Sequence, residues 1–350
     1  HPDESFYVTA SCDVLNSGGI IFRDIAIDGR TERDTLFTAI TWNNGNRQFE
    51  GDLNGRLAIR DFDAYDFFFD ASTFTLENER WAFLPGAQVS IDSSDVRVKS
   101  LTIFNNQQRL TIGGELNHNP ESTLLVDIDA FDLANLNVFL GEDYRFAGTV
   151  NGSASLSDPF NEAIFRSDID LLQLVINERA IGDLQAKTAW DPRLHELRID
   201  GKLEKDAKAS LGLNRYTPLS FAGYYRPRDE KSPLDLTATI NLLDLEFINA
   251  FMEPEILDIQ GFASGTMSIT GTPDAPQMRA NALLRDASIY VYYLNTKYYI
   301  EEQIGVYPDM FTFDHIRIRD EKGKLGYLTG QMLHNNFGDW NFDIMIDMVE

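Results

Sequence analysis

The residues of this sequence that could do chemistry do not form a recognisable catalytic or metal-binding set. No two histidines have the spacing of a zinc site, since the five lie far apart at His1, His118, His195, His315 and His334. The motifs of phosphate-binding loops, dinucleotide sites and serine hydrolases are absent from the sequence. Cys12 is the single cysteine, so it forms no internal disulfide, and no nucleophile signature surrounds it. The sequence therefore predicts a protein that is not an enzyme and uses no metal or cofactor.

Two acidic runs, "DFDAYD" (61–66) and "DIDAFD" (127–132), are the remaining candidates for cation ligands. Calcium loops usually supply a glycine turn and a later bidentate glutamate, and both runs lack them. Alternating aspartates are typical of the solvent-facing side of a strand, and Asp132 stands where a helix N-cap is expected. We therefore interpret both runs as structural.

Composition and charge exclude further classes of function. The 350 residues carry 55 acidic and 30 basic side chains, a formal net charge of −25. This charge argues against nucleic acid as a partner and against a broad hold on anionic lipid headgroups. Any lipid contact would be made through acyl chains. No stretch approaches the roughly 20 apolar residues of a membrane span. The abrupt first residues and the strand pattern at the end indicate a fragment of a longer protein.

Period-two alternation of apolar and polar residues dominates the chain and predicts half-buried strands. In "ELRIDGKLEKD" (196–206), Leu197, Ile199 and Leu203 share one face. The same pattern places Ile316 with Ile318. It also predicts a shared face for Ile289, Val291 and Tyr293, and one for Trp340, Phe342, Ile344, Ile346 and Met348. Tyr290 and Tyr292 are predicted on the opposite face.

Two short segments are predicted as helices. The first lies near 133–141, after the cap Asp132, and the second near 245–253, after the cap Asp244. A Gly-x-x-x-Gly strand and then a proline turn follow each helix, so the two segments belong to a repeat of about 112 residues. We divide the chain into an N-terminal β-rich part (1–121) and two repeat units (122–231 and 232–350). The predicted fold class is all-β: an elongated, curved, mainly antiparallel structure with a few short helices.

A continuous apolar face on such an array has two interpretations. In an ordinary β-sandwich, a second sheet covers it. In an open array it is a long apolar gutter, which is costly in water unless something apolar lies in it. The internal repeat favours the gutter.

Residues 261–344 carry a family resemblance. Its features are Gly261 and Gly265, the turn "GTPDAP" (271–276), "YLNT" (293–296), the turn at 320–323 and "HNNF" (334–337). In these features the sequence resembles the TamB branch of the AsmA-like envelope proteins, in the form found in Bacteroidetes-type bacteria. The resemblance extends weakly through the repeat to about residue 122. Residues 1–121 share only the general strand pattern.

The resemblance implies a taco-like β-groove with an apolar interior, in the periplasm, as part of an inner-membrane-anchored protein whose anchor lies outside this fragment. It implies phospholipid acyl chains as the cargo between inner and outer membranes. It also implies a possible outer-membrane barrel partner of the Omp85 family (TamA-like). The residues predicted to line the groove are Leu197, Ile199, Leu203, Val291, Tyr293, Ile316, Ile318, Trp340, Phe342, Ile344 and Ile346.

Two other functions compete with lipid transport. The protein could be a structural or assembly factor that supports an outer-membrane partner by strand addition, without carrying lipid. It could also be a carbohydrate-active β-solenoid enzyme, which would need a clustered acid–base pair that the scattered aspartates do not suggest.

Overall fold

The structure is a computed structural model that describes residues 6–17, 20–43, 49–139, 145–206, 214–250, 257–335 and 338–349. These residues form 24 strands and three short 3-10 helices. The strands are β1 (Tyr7–Ser17), β2 (Ile20–Glu32), β3 (Thr35–Asn43), β4 (Phe49–Asp61), β5 (Ala64–Phe69), β6 (Thr73–Leu76), β7 (Glu79–Phe83), β8 (Gln88–Ile91), β9 (Val96–Asn105), β10 (Gln108–Leu116), β11 (Thr123–Asp132), β12 (Phe146–Ser157), β13 (Ile164–Ile176), β14 (Arg179–Asp191), β15 (Glu196–Asp206), β16 (Arg215–Tyr225), β17 (Leu234–Asp244), β18 (Leu257–Thr272), β19 (Ala275–Val291), β20 (Thr296–Ile300), β21 (Gln303–Tyr307), β22 (Met310–Asp320), β23 (Leu325–Asn335) and β24 (Gly338–Met348). The helices are Leu133–Phe139, Leu245–Ala250 and Tyr292–Leu294.

The predicted all-β, antiparallel fold class is confirmed. The chain divides into two compact units, His1–Leu172 (unit 1) and Gln173–Glu350 (unit 2). The division into 1–121, 122–231 and 232–350 concerns sequence repeats, and it stays a prediction.

Unit 1 is an antiparallel meander with one branched region. Strands β1 to β4 pair in chain order. β4 then pairs with β5 along one half and with β6 along the other, and the two branches continue through β8 and β7 to rejoin at β9. From β9 to β12 the order again follows the chain. Its core is built around Trp81, which is fully buried beside Trp42, Phe49 and Leu76.

Unit 2 repeats this plan. Strands β14 to β19 pair in chain order. β19 then pairs with both β20 and β21, and β22 pairs with the same two strands from the other side. β23 and β24 complete the described order. Since each strand runs antiparallel to its neighbour, short turns suffice to connect them. Along each strand, successive side chains point to opposite faces of the sheet.

The two predicted helices begin where the sequence placed them and share one local design. Asp132 Oδ1 accepts the backbone N–H of Ala134 at 2.9 Å, and Asp244 Oδ1 accepts that of Glu246 at 3.1 Å. Both carboxylates therefore act as N-caps, as predicted. Both helices are of the 3-10 type, and the predicted ends at 140–141 and 251–253 lie outside the described residues.

Glycines occur where strands approach one another too closely for a side chain. Gly330 in β23 has φ +130°, and a Cβ there would lie 2.1 Å from the carbonyl oxygen of Asp343 in β24. Only glycine tolerates this backbone conformation without strain. Gly330 lies beside a register shift between β22 and β23, where the pairing of the two strands is locally irregular.

Candidate functional site

A row of apolar residues crosses ten strands of unit 2. Each residue of the row faces the next in strand register, from β14 through β19 and then through β21 to β24. We call these residues the unit 2 apolar row: Ala186, Gly201, Phe221, Ala238, Met267, Ala280, Val306, Phe311, Met332 and Phe342. No member is charged or polar, so the row is a continuous apolar stripe running across the strands.

The neighbouring row, one residue along each strand, has the opposite character. Side chains one position apart on a strand point to opposite faces of the sheet. The facing residues of this row are Gln185, Lys202, Ser220, Thr239, Thr266, Asn281, Gly305, Thr312, Gln331 and Asp343. Every member except Gly305 is polar. The sheet of unit 2 therefore has one apolar and one polar face that stay distinct across all ten strands.

Unit 1 has an apolar row of its own. Register pairs connect eight of its strands through Leu36, Leu57, Phe67, Val89, Val98, Gly114, Leu124 and Leu156. Aromatic rings crowd this unit, with Phe67 and Phe69 at 4.7 Å between ring centroids and Phe69 stacked on Phe83 at 5.2 Å. The short helix adds to its core, since Phe139 lies edge-on against Phe49 at 5.3 Å.

On the apolar face of unit 2 lies an open groove of about 470 Å³. All fourteen lining residues are apolar or tyrosine, and we call this site the unit 2 groove. They are Ile259, Ile289, Val291, Tyr293, Leu294, Tyr298, Ile300, Phe313, Ile318, Leu328, Met332, Phe342, Ile344 and Ile346. A groove with this lining favours hydrocarbon and offers no group for acid–base chemistry.

The unit 2 groove has a packed floor and an exposed rim. Ile300 and Ile318 face each other in register and are each 1% exposed, so they form the packed floor of the groove. Phe342 and Ile344 on β24 are 39% and 37% exposed, although both line the groove. The rim therefore presents apolar surface to water, a costly arrangement for a site that stays empty.

The tyrosine-rich segment 289–300 is divided between the groove and the other face. Tyr293 and Tyr298 line the groove, and Tyr293 is 95% exposed at its rim. Tyr290 lies outside it, where its hydroxyl donates to Asn295 Oδ1 at 2.5 Å and its ring meets Tyr292 edge-on at 4.9 Å. β19 ends at Val291, so Tyr293 reaches the groove from a helical turn and not from a continued strand.

Of the eleven residues predicted to line a groove, six line the unit 2 groove: Val291, Tyr293, Ile318, Phe342, Ile344 and Ile346. Ile316 is buried in the cluster beneath it, and Trp340 packs against that cluster. The remaining three lie on β15. Along β15, Leu197, Ile199 and Leu203 alternate with polar residues. They lie on the same face as Gly201 of the unit 2 apolar row.

Sequence reasoning missed several groove residues, including Ile259, Ile300, Phe313, Leu328 and Met332. Their own alternation was a usable signal, as in "LGYLTGQML" (325–333). What alternation cannot supply is the register that brings these strands together, and β22 pairs with β23 across an irregularity between Phe313 and Ile316.

The polar face carries ion pairs. Arg198 lies 2.8 Å from Asp200, and Lys202 lies 2.7 Å from Glu204. A hydrogen bond from the backbone N–H of Gln173, with the Arg215 guanidinium beside it, lowers the pKa of the Asp183 carboxyl. These charges remain partly exposed to water, so each pair contributes little to stability and keeps the face hydrated.

Within the described residues, no group of three or more histidine, cysteine or acidic side chains is placed to hold a metal ion. Among the helices in the same residues, none combines the length and the hydropathy that a membrane crossing needs. Comparisons with known proteins add no family: no family model, no curated protein and no solved structure matches this chain.

Proposed function

We propose that this chain is a periplasmic segment of a bacterial envelope bridge of the TamB and AsmA-like kind, and that its apolar face carries phospholipid acyl chains. The observation that supports the proposal best is the unit 2 apolar row, which is unbroken across ten strands. A binding pocket for one small molecule does not need a stripe of this kind, whereas a sliding acyl chain does.

The length of the row supports a track. Ten strands give nine spacings of about 4.8 Å, so the row runs for about 43 Å. Half of a bilayer's hydrocarbon core, roughly the reach of one acyl chain, is about 15 Å. The row is therefore almost three chain lengths long, and a bound chain has apolar surface ahead of it and behind it.

The chemistry of the two faces supports the same cargo. Acyl chains need no directed polar partner, and none of the fourteen groove residues is charged. A lipid headgroup would stay in water beyond the exposed rim, because burying a charge without a partner costs several kcal/mol. Under this proposal, an inner-membrane anchor and an outer-membrane barrel of the Omp85 family lie outside the segment.

Photo-crosslinking on matched faces tests the proposal. A photoreactive amino acid is placed at Phe342, in the groove, and in a second variant at Asp343, the next residue on the opposite face. Ile199 and Arg198 form a second pair on β15. After irradiation in cells, mass spectrometry should find phospholipid attached at Phe342 and Ile199 only. Equal capture on both faces, or none on the apolar face, would remove the lipid proposal and favour a structural or assembly role.

A further inference from the structure

The short helix Leu245–Ala250 lies against the apolar face of unit 2. Leu245 is buried, and it belongs to the same packed cluster as the groove residues Ile259 and Ile300. Ile248 and the apolar-face residue Ile240 pack against this cluster too. The helix therefore covers apolar surface that would otherwise continue the groove.

The helix reaches across several strands. It contacts both β18 and β14, and these strands are separated by β15, β16 and β17. A 3-10 helix has three residues per turn and rises by about 2.0 Å per residue, so six residues extend for about 12 Å. Four strand spacings separate β14 from β18, about 19 Å, so the helix spans roughly two thirds of that distance. The helix lies where the groove meets the apolar face of β14 to β17.

Polar contacts hold the helix near both of its ends. Asp244, at its start, lies 3.6 Å from Lys205 Nζ on β15, and only 3% of the Asp244 side chain is exposed. Further along, Asn249 accepts the backbone N–H of Ile259 at 3.0 Å and donates to its carbonyl at 2.9 Å. A helix of six residues has little intrinsic stability. These contacts and the packing of Leu245 and Ile248 therefore stabilise its position.

We propose that the helix Leu245–Ala250 is a lid over the apolar face of unit 2, latched by the Asp244–Lys205 ion pair. With the lid closed, the unit 2 groove is separated from the apolar surface of β14 to β17. With the lid open, the two surfaces join and an acyl chain passes between them. This inference rests on the proposed function and adds regulation to the same site. Lids of this kind are drawn from weakly held segments.

Asp244→Asn tests the latch selectively. The introduced amide oxygen still accepts the N–H of Glu246, so the cap survives while the charge that attracts Lys205 is lost. The probe is pyrene-labelled phosphatidylcholine in phosphatidylcholine vesicles, whose monomer emission rises as the full 350-residue chain extracts it. We expect uptake about fivefold faster and apparent affinity about fivefold higher, because a larger fraction of molecules is open.

Asp132→Asn is the matched control, since Asp132 caps the helix of unit 1 in the same way. Its uptake should equal that of the wild type. Unchanged uptake by a folded Asp244→Asn variant would overturn the lid while leaving the proposed function intact. A wild-type chain that extracts no labelled lipid would instead overturn the proposed function. If Asp244→Asn does not fold, Lys205→Met decides: it breaks the same pair from the strand side, and it too should accelerate uptake.

Discussion

On the proposed function, a single carboxylate in the unit 2 groove should block acyl binding without unfolding the protein. Ile344 lines the groove from β24, faces Gly330 in register and is 37% exposed. In Ile344→Asp the lost burial costs about 1–2 kcal/mol, and the new carboxylate stays hydrated while the groove is empty. An arriving acyl chain has to strip that water, at a cost of about 3 kcal/mol. The affinity for acyl chains should therefore fall about a hundredfold.

The control for this variant is Met345→Asp on the same strand. Met345 points to the opposite face, is 65% exposed and does not line the groove. Extraction of pyrene-labelled phosphatidylcholine measures the affinity, and circular dichroism with thermal unfolding confirms the fold. We expect lost binding for Ile344→Asp and normal binding for Met345→Asp. If a well-folded Ile344→Asp variant extracts lipid as the wild type does, the groove is not the acyl site.

Two further predictions concern stability. Gly330→Ala should lower the free energy of unfolding by about 3 kcal/mol, because its Cβ would lie 2.1 Å from a backbone oxygen. The control Gly323→Ala, where φ is +79° and the surrounding space is open, should lower it by only about 1 kcal/mol. Equal losses of stability in thermal melts of the two variants would contradict this account. His334 is buried against the rings of Phe311 and Trp340, and burial lowers its pKa although Asp309 opposes the shift. The unfolded chain therefore binds the proton more readily, so the stability present above about pH 6.5 should be lost as the pH falls below it. His334→Phe should flatten that dependence in denaturant titrations at pH 7 and pH 5, and an unchanged slope would exclude His334 as its source.

The local features of this fold could be predicted from sequence because they depend on near neighbours. Alternation placed Leu197, Ile199 and Leu203 on one face, and the caps Asp132 and Asp244 marked both helix starts. The turn at Tyr292–Leu294 was missed, because the alternation of Ile289, Val291 and Tyr293 continues past the end of the strand.

The assembly of the candidate site was not predictable in the same way. The unit 2 apolar row depends on which residue of each strand faces which residue of the next, and periodicity gives no register. Irregularities shift that register, as between Ile240 and Leu243, where Leu242 has φ +55°. A backbone of this kind at a leucine is uncommon and leaves no signal in the hydrophobic pattern.

The meander pairing of unit 2 has a consequence for how this unit unfolds on heating. Most of its contacts join consecutive strands, so its stability resembles a sum of nearest-neighbour terms and not a single all-or-none event. One hairpin can open while the hairpins on either side persist as separate cooperative units. Such an opening removes two members from the unit 2 apolar row. On the proposed function, transport should therefore stop at a temperature below the global melt, at the weakest hairpin in the series.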